Sequence, residues 1–173
     1  MKLKNLLNEN LSYGFIMAKV DDDNSKKILD FNYKFINENC LYIEEGDYGR
    51  ETNVHCTIKY GLTERYSKKQ MKHFLYDVVP FNIEINEIGI FENDKFDVIK
   101  FNVESKDLRK LNEIFSTLPN NDEHKEYKPH ITLAYIQKGT GNQFIKTSKR
   151  KGYIPIRTLI YSDGINGNIY YNL

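Results

Sequence analysis

A six-residue pattern occurs twice in the chain and constrains its fold more than any other feature. The sequence His-Cys-Thr-Ile-Lys-Tyr at positions 55–60 returns at positions 130–135 as His-Ile-Thr-Leu-Ala-Tyr. Alternate side chains of a β-strand point to opposite faces. Each histidine should therefore share a face with its threonine, while the apolar residues between and after them point into a core. We predict two structurally equivalent strands, one for each copy.

The residue types in the pattern suit the cleavage of a phosphodiester. One group must take a proton from the nucleophile and another must give a proton to the leaving oxygen, and imidazole can do either near neutral pH. A threonine hydroxyl can donate to a non-bridging phosphate oxygen. We interpret His55, Thr57, His130 and Thr132 as a catalytic set that requires no metal and no other cofactor. Which histidine is the acid is left open, because the two motifs are nearly symmetric.

The alternative is that these are ordinary strand residues, since threonine favours strands and a buried, hydrogen-bonded histidine is common. One copy of the motif would fit that interpretation well. Two matched copies favour a catalytic pair, and neither of the other two histidines, His73 and His124, has a threonine or serine two positions later.

Length and charge exclude several classes of protein. The chain has 173 residues, with 25 basic and 24 acidic side chains and a formal net charge of +1. We expect a single domain over residues 1–173 with a substantial core, and not a general nucleic-acid coat protein. There is no long apolar run and no signal-peptide pattern. We therefore expect a cytoplasmic protein with no membrane association and no evident obligate protein partner. Abundant Asn, Ile and Lys are typical of an AT-rich bacterial or phage genome.

The two cysteines, Cys40 and Cys56, are expected to be reduced and mostly buried thiols. Zinc-site spacings such as Cys-x-x-Cys and His-Glu-x-x-His are absent from the sequence. Cys56 should point away from the motif histidines, which makes it a poor nucleophile.

Periodicity predicts the order β-α-β-α-β-β-α-β, followed by a terminal pair of strands. The predicted strands and helices, in chain order, are a strand at 13–20, a helix at about 25–36, the first motif strand at 53–60, a helix after Ser67, extended segments at 81–90 and 96–103, a helix after Ser105, the second motif strand at 130–136, and strands at 153–161 and 165–171. An old duplication of a β/α unit would explain the repeat. The two lobes would then face each other about a pseudo-twofold axis.

With these motifs and this order of elements, the chain resembles the 2H phosphoesterase superfamily, which is named for two His-x-Thr/Ser motifs. The resemblance implies an α+β, bilobal fold with two pseudo-symmetric lobes of antiparallel sheet, outer helices and a central cleft that holds both motifs. The segment Gly-Arg-Glu-Thr-Asn-Val-His at 49–55 and the Lys-Tyr-Gly at 59–61 look most like phage and bacterial members. Some phage members, the anti-CBASS nucleases, cleave cyclic nucleotides that bacteria use as immune signals.

Several other residues are candidates for substrate binding. Lys59 should lie on the face of the first motif and could meet an anion, whereas a solvated strand-end lysine is the alternative. Tyr42 and Tyr48 could stack on a base, and Arg50 could bind phosphate. If the strands stay regular, the motif tyrosines fall on the opposite face. A basic stretch lies at 138–152 and is interpreted as a charged surface; its cations are Lys138, Lys146, Lys149, Arg150 and Lys151.

The leading functional hypothesis is a metal-independent phosphodiesterase acting on a cyclic di- or oligonucleotide signal. An enzyme acting on an RNA 2′,3′-cyclic phosphate or a 2′-5′ linkage is the close alternative. A protein that sequesters a nucleotide without cleaving it belongs to a different class, and two matched proton carriers argue against it. A structural or protein-interaction domain is the third possibility.

Overall fold

Two four-stranded antiparallel sheets carry the two copies of the motif. The computed structural model describes residues 14–44, 47–124, 126–145 and 151–173. Its strands are β1 Gly14–Lys19, β2 Ile43–Glu44, β3 Asp47–Tyr48, β4 His55–Leu62, β5 Phe81–Glu92, β6 Phe96–Glu104, β7 His130–Gln137, β8 Gly152–Ile156, β9 Thr158–Ser162 and β10 Asn168–Asn172. Its α-helices are α1 Asp22–Phe35, α2 Lys68–Phe74, α3 Lys106–Ser116 and α4 Asn142–Ile145. This is an α+β chain, as predicted.

The first sheet has the order β10-β9-β1-β4 and the second has the order β7-β6-β5-β8. Each motif strand is therefore the end strand of its own sheet, and the two motif strands contact each other across the molecule. The sequence did not predict the small β2–β3 hairpin. Its flanks bond to β7, because the amide of Tyr42 donates to the Tyr135 carbonyl over 3.0 Å and the Tyr135 amide donates to the Gly49 carbonyl over 2.8 Å.

Polar caps fix where the helices begin. The Asp21 carboxylate accepts from the backbone amide of Asn24, so α1 begins at Asp22, three residues before the predicted start. Ser67 and Gln70 form a reciprocal capping box at α2. Ser105 caps α3, and Leu108, Leu111 and Phe115 form the buried stripe of this helix.

One hydrophobic core joins both sheets and the helices. The apolar motif residues lie in it as predicted: Cys56, Ile58, Ile131 and Leu133 are each at most 1% exposed. A second, smaller cluster lies on the other face of the first sheet and contains Phe15, Met17 and Ile160 with the half-buried Tyr60. We call this second cluster the lobe-one apolar patch.

The prediction of one strand over 153–161 was wrong. That segment forms two strands in different sheets, because β8 pairs with β5 in the second sheet and β9 pairs with β1 in the first. Only Arg157 separates them. The last hairpin of the chain, which was predicted to begin at 153, consists of β9 and β10.

Candidate active site

The core residues that follow the first histidine connect the two motifs. The thiol of Cys56 contacts the backbone amide of His130 and the hydroxyl of Tyr127. The Tyr127 hydroxyl also donates to the carbonyl of Thr57 over 2.9 Å. Burial raises the pKa of the Cys56 thiol to about 12. Cys56 is therefore an unreactive core contact that keeps the two motif strands together, consistent with its predicted orientation.

Both histidine rings are oriented in the same way. Nδ1 of His55 lies 2.6 Å from the carbonyl oxygen of Asn53, and Nδ1 of His130 lies 2.7 Å from the carbonyl oxygen of Lys128. A carbonyl oxygen can only accept, so Nδ1 carries the proton in each ring. Nε2 is then the nitrogen left for chemistry in each motif.

The first motif strand contains a β-bulge directly after its threonine. Thr57 pairs with Met17 across the sheet, but the preceding residue of β1, Ile16, pairs with Lys59 and not with Ile58. Ile58 is therefore the extra residue. The strand reverses the faces of its side chains at this point.

The second motif strand contains a bulge at the equivalent position. Thr132 pairs with Lys100, whereas the preceding residue of β6, Ile99, pairs with Ala134. Leu133 is the extra residue there. The two half-sites thus share a backbone irregularity as well as a sequence pattern, which supports the predicted pseudo-symmetry.

An asparagine from the opposite half of the chain holds each bulge. Asn32 of α1 donates to the Leu133 carbonyl over 2.6 Å, and Asn112 of α3 donates to the Ile58 carbonyl over 2.7 Å. The backbone amide of Glu51 also donates to the Leu133 carbonyl. These contacts satisfy the carbonyls that the bulges remove from the regular ladder.

The bulges overturn the predicted faces of the residues that follow them. Cross-strand partners in a sheet point to the same side, so Lys59 lies on the core face with Ile16. Tyr60 pairs with Phe15 and therefore shares the face of the first histidine and threonine, where it joins the lobe-one apolar patch. In the second sheet Tyr135 is likewise turned to the motif face.

Lys59 does not line the candidate site, contrary to the prediction. Its ammonium lies 2.9 Å from the carboxylate of Asp122, and their side chains are only 7% and 13% exposed. The pair joins β4 to the segment that follows α3.

Arg50 is also used structurally. Its guanidinium donates to the backbone carbonyls of Asn32 and Ile36, near the end of α1. It also stacks over the ring of Tyr33, 4.8 Å from the centroid. Arginine at the carboxyl end of a helix complements the helix dipole, and these contacts replace the expected phosphate contact.

Tyr42 and Tyr48 pack against other aromatic rings. The ring centroid of Tyr48 lies 5.3 Å from the centroids of Tyr42 and Tyr135, and 4.9 Å from the centroid of Phe96. Its φ of 68° is in the left-handed region, which is unusual for a residue other than glycine. The rings cover Tyr135, which is fully buried on the motif face of its sheet. The hairpin thus closes one end of this face, and neither ring is positioned as an open stacking platform.

The surroundings of the two imidazoles differ in charge. Burial lowers the pKa of His55, while the carboxylate of Glu51 opposes this shift. Burial also lowers the pKa of His130, to about 4, and the positive charge of Lys100 and the proximity of His55 contribute to that shift. Burial therefore favours the neutral form of both rings. Glu51 favours a proton on His55, and Lys100 disfavours one on His130.

Sequence reasoning missed Lys100 as a residue of this site. It lies opposite Thr132 on the motif face and is only 5% exposed. A signal was present, because the lysine interrupts the otherwise mostly apolar run Val-Ile-Lys-Phe-Asn-Val at 98–103.

The two described cations of the basic stretch, Lys138 and Lys151, are both exposed, as the charged-surface interpretation predicts. Lys146, Lys149 and Arg150 lie outside the described residues. Lys138 donates to the Asp94 carbonyl, beside a cavity of about 320 Å³ at the β5–β6 turn. That cavity is lined mainly by acidic and neutral residues, which suits a phosphate poorly.

No group of three or more His, Cys, Asp or Glu side chains in the described ranges is arranged to hold a metal ion. Within the same ranges, no helix is long and apolar enough to cross a membrane.

Comparison with solved structures identifies the fold. TT0787 of Thermus thermophilus matches with a TM-score of 0.57 at 16% identity, covering 93% of this chain and 94% of that chain. The chain has the 2H phosphoesterase fold, which it shares with TT0787 and with the two structures described next.

Two further structures of this fold were solved with nucleotides. E. coli LigT complexed with 3′-AMP matches with a TM-score of 0.58 at 14% identity, covering 94% of this chain and 95% of that chain. Kluyveromyces marxianus Usb1 with uridine monophosphate matches with a TM-score of 0.60 at 9% identity, covering 94% and 99%. No protein-family model and no curated protein matches the chain by sequence.

Proposed function

We propose that this chain is a metal-independent phosphodiesterase that hydrolyses a nucleotide phosphodiester in the cytoplasm of a bacterial cell. The observation that carries the proposal is the pair of His-x-Thr motifs on contacting strands, with both rings fixed through Nδ1. The shared fold of LigT and Usb1 supports it.

The charges around the two rings suggest a role for each. His130, held neutral beside Lys100, takes a proton from a water or a ribose hydroxyl. That oxygen bonds to phosphorus while the bond to the leaving oxygen breaks. His55, whose protonated form Glu51 favours, gives its proton to the leaving oxygen.

The two threonines would orient the phosphate. Thr57 and Thr132 precede equivalent bulges on the motif faces. Their hydroxyls would each donate to a non-bridging oxygen and stabilise the negative charge that develops there in the transition state.

A cyclic di- or oligonucleotide immune signal, of the kind that anti-CBASS nucleases cleave, is the favoured substrate. The phage-like segment before the first histidine supports this choice. Hydrolysis of an RNA 2′,3′-cyclic phosphate or a 2′-5′ linkage is the second candidate, favoured by the mononucleotides in the LigT and Usb1 structures.

The test is turnover in EDTA. The protein is incubated with cyclic di- and trinucleotides, 2′,3′-cyclic mononucleotides and 2′-5′ oligoadenylates, and products are identified by liquid chromatography and mass spectrometry. Linear products from the cyclic oligonucleotides support the favoured substrate, and cleavage of only the other two classes supports the second candidate. The double variant H55A/H130A controls for contaminating enzymes. Bound but intact nucleotide would establish a sequestering protein instead. A protein that neither binds nor cleaves any of these nucleotides would overturn the proposal.

A further inference from the structure

Lys100 projects onto the same face as the second motif. It pairs with Thr132 across β6 and β7, and Asn102, two residues along β6, pairs with His130. Paired residues and residues two apart on a strand share a face. The positive charge of Lys100 also contributes to the lowered pKa of His130, as expected of two groups that lie near each other on this face.

The ammonium of Lys100 is held in a defined position. Its Nζ donates to the side-chain oxygen of Asn102 and lies 4.2 Å from the centroid of the Phe91 ring. The same ring packs edge-on against the imidazole of His130, with centroids 4.8 Å apart. Phe91 therefore connects the lysine to the histidine physically.

A glycine provides the space for this arrangement. Gly89 of β5 lies opposite Lys100. A Cβ at position 89 would lie 2.9 Å from Nζ of Lys100 and 2.7 Å from the side-chain oxygen of Asn102. Any side chain at this position would displace the lysine or its partner.

Among the residues that the structure describes, the lysine is buried without a neutralising anion. Its residue is 5% exposed, and in the described part of the chain no carboxylate lies within 4.0 Å of its Nζ. The buried Lys59, by contrast, is paired with Asp122. Among the described residues, the titratable groups that interact with Lys100 are Lys128 and His130, and neither supplies a negative charge. Burying an unpaired charge is costly, so this position favours binding of an anion.

The position is asymmetric between the lobes. Met17 pairs with Thr57 as Lys100 pairs with Thr132. Opposite the motif threonine, the second half-site therefore has the ammonium of Lys100. The first half-site has Met17 there, which belongs to the lobe-one apolar patch.

We propose that Lys100 is a further catalytic residue, which binds a non-bridging oxygen of the scissile phosphate beside Thr132. The inference rests on the proposed phosphodiesterase function and adds a third phosphate contact to the two threonines. A phosphodiester carries one negative charge, and the five-coordinate transition state carries more. A preorganised ammonium stabilises that increase, while the proton transfers remain with the histidines.

The test combines catalysis with binding of inorganic phosphate as the probe. We expect K100M to lower kcat by about 10²-fold or more, as the loss of one preorganised oxyanion donor does. It should also weaken phosphate binding by about tenfold or more, whereas K100R recovers part of both losses. Binding of adenosine, which has no phosphate, should not change. K138M, which removes an exposed lysine at the other end of β7, is the matched control.

Measurements on the wild-type protein keep the test valid if K100M does not fold. Lysines are labelled by reductive ¹³C-methylation, and the Lys100 signal, assigned through K100R, should shift when phosphate is added. An unshifted Lys100 signal, or normal kcat and phosphate binding in K100M, would overturn the inference about Lys100. The proposed phosphodiesterase function would still stand if the wild-type protein cleaves its substrate. Conversely, a protein without phosphodiesterase activity whose phosphate binding depends on Lys100 would refute the function and retain the anion site.

Discussion

The side-chain amide of Asn32 donates to the backbone carbonyl of Leu133 over 2.6 Å, although the two residues are 101 positions apart. Asn112 makes the reciprocal contact to Ile58. Each bulge is thus held by a helix from the other half of the chain. The position of each motif threonine therefore depends on both halves of the molecule being folded.

Replacing Asn32 with leucine should impair both stability and turnover. Leucine is similar in size but leaves the Leu133 carbonyl with only the Glu51 amide, so we expect the free energy of unfolding to fall by about 1–3 kcal/mol. kcat/KM should also fall because Thr132 shifts. Urea denaturation and steady-state kinetics measure the two effects, with N93A at the exposed β5–β6 turn as the control. Normal kcat/KM in a destabilised N32L would show that the bulge keeps its shape without Asn32.

Removing either motif histidine should abolish most activity. We expect H55A and H130A each to lower kcat by at least ~10²-fold, because each deletes one proton carrier. Circular dichroism should show an intact fold. H73A, on the exposed side of α2, should retain full activity. Near-normal activity in H55A or H130A would remove that residue from the mechanism.

Replacing Glu51 with glutamine should move the pH dependence of catalysis. The carboxylate of Glu51 raises the pKa of His55, so its removal lowers that pKa. The acid is then lost at a lower pH, and the alkaline limb of kcat/KM against pH shifts to lower pH. Glutamine keeps an acceptor for the amides of Thr52 and Asn53, which limits structural change. An unmoved alkaline limb, with chemistry rate-limiting, would argue against His55 as the acid.

His130 should make the fold sensitive to acid. Its pKa is about 4 in the folded protein against a usual 6.5, so the unfolded chain binds more protons between these values. The stability that the neutral ring contributes is complete above pH 6.5 and is lost as the pH falls towards 4. This loss amounts to at most about 3 kcal/mol. Urea denaturation at pH 7 and pH 4 should show a smaller decline in H130Q than in wild type or H73Q. An equal decline in all three would contradict the burial of this ring.

Replacing Lys59 with methionine tests its structural role. The change leaves the mostly buried carboxylate of Asp122 without its partner, so we expect the free energy of unfolding to fall by about 3–5 kcal/mol. The double variant K59M/D122L should regain part of that loss. Phosphate affinity should be unchanged in any variant that folds. A stable K59M with weakened phosphate binding would restore the original interpretation of Lys59 as a ligand contact.

The alternating pattern of the motifs was sufficient to predict their burial up to the residue after each threonine. Cys56 and Ile131 lie in the core as the pattern requires. Ile58 and Leu133 are buried as predicted too, and the pattern failed only at the residue after each of them, because a β-bulge depends on contacts that are distant in sequence. The asparagines that hold the bulges come from helices whose periodicity gives no indication of such a contact. Lys59 and Tyr60 were therefore assigned to the wrong faces.

The C-terminal strands show a second limit of local reasoning. The apolar residues over 153–161 suggest one continuous strand, and nothing in their spacing marks the transfer between sheets at Arg157. Lys100 is different, since a lysine within an apolar run is visible in the sequence and indicates a buried charge. Its relation to Thr132 required the register of β6 and β7.

The single-residue junction at Arg157 has a mechanical consequence for the two sheets. A chain that leaves one sheet and enters the other within one residue provides almost no slack for the two lobes to swing apart. We expect ligands to be accommodated by side-chain rotation and by the segments between strands, while the two sheets keep a nearly constant separation. Selection among nucleotides would then depend on how each molecule fits a space of fixed width.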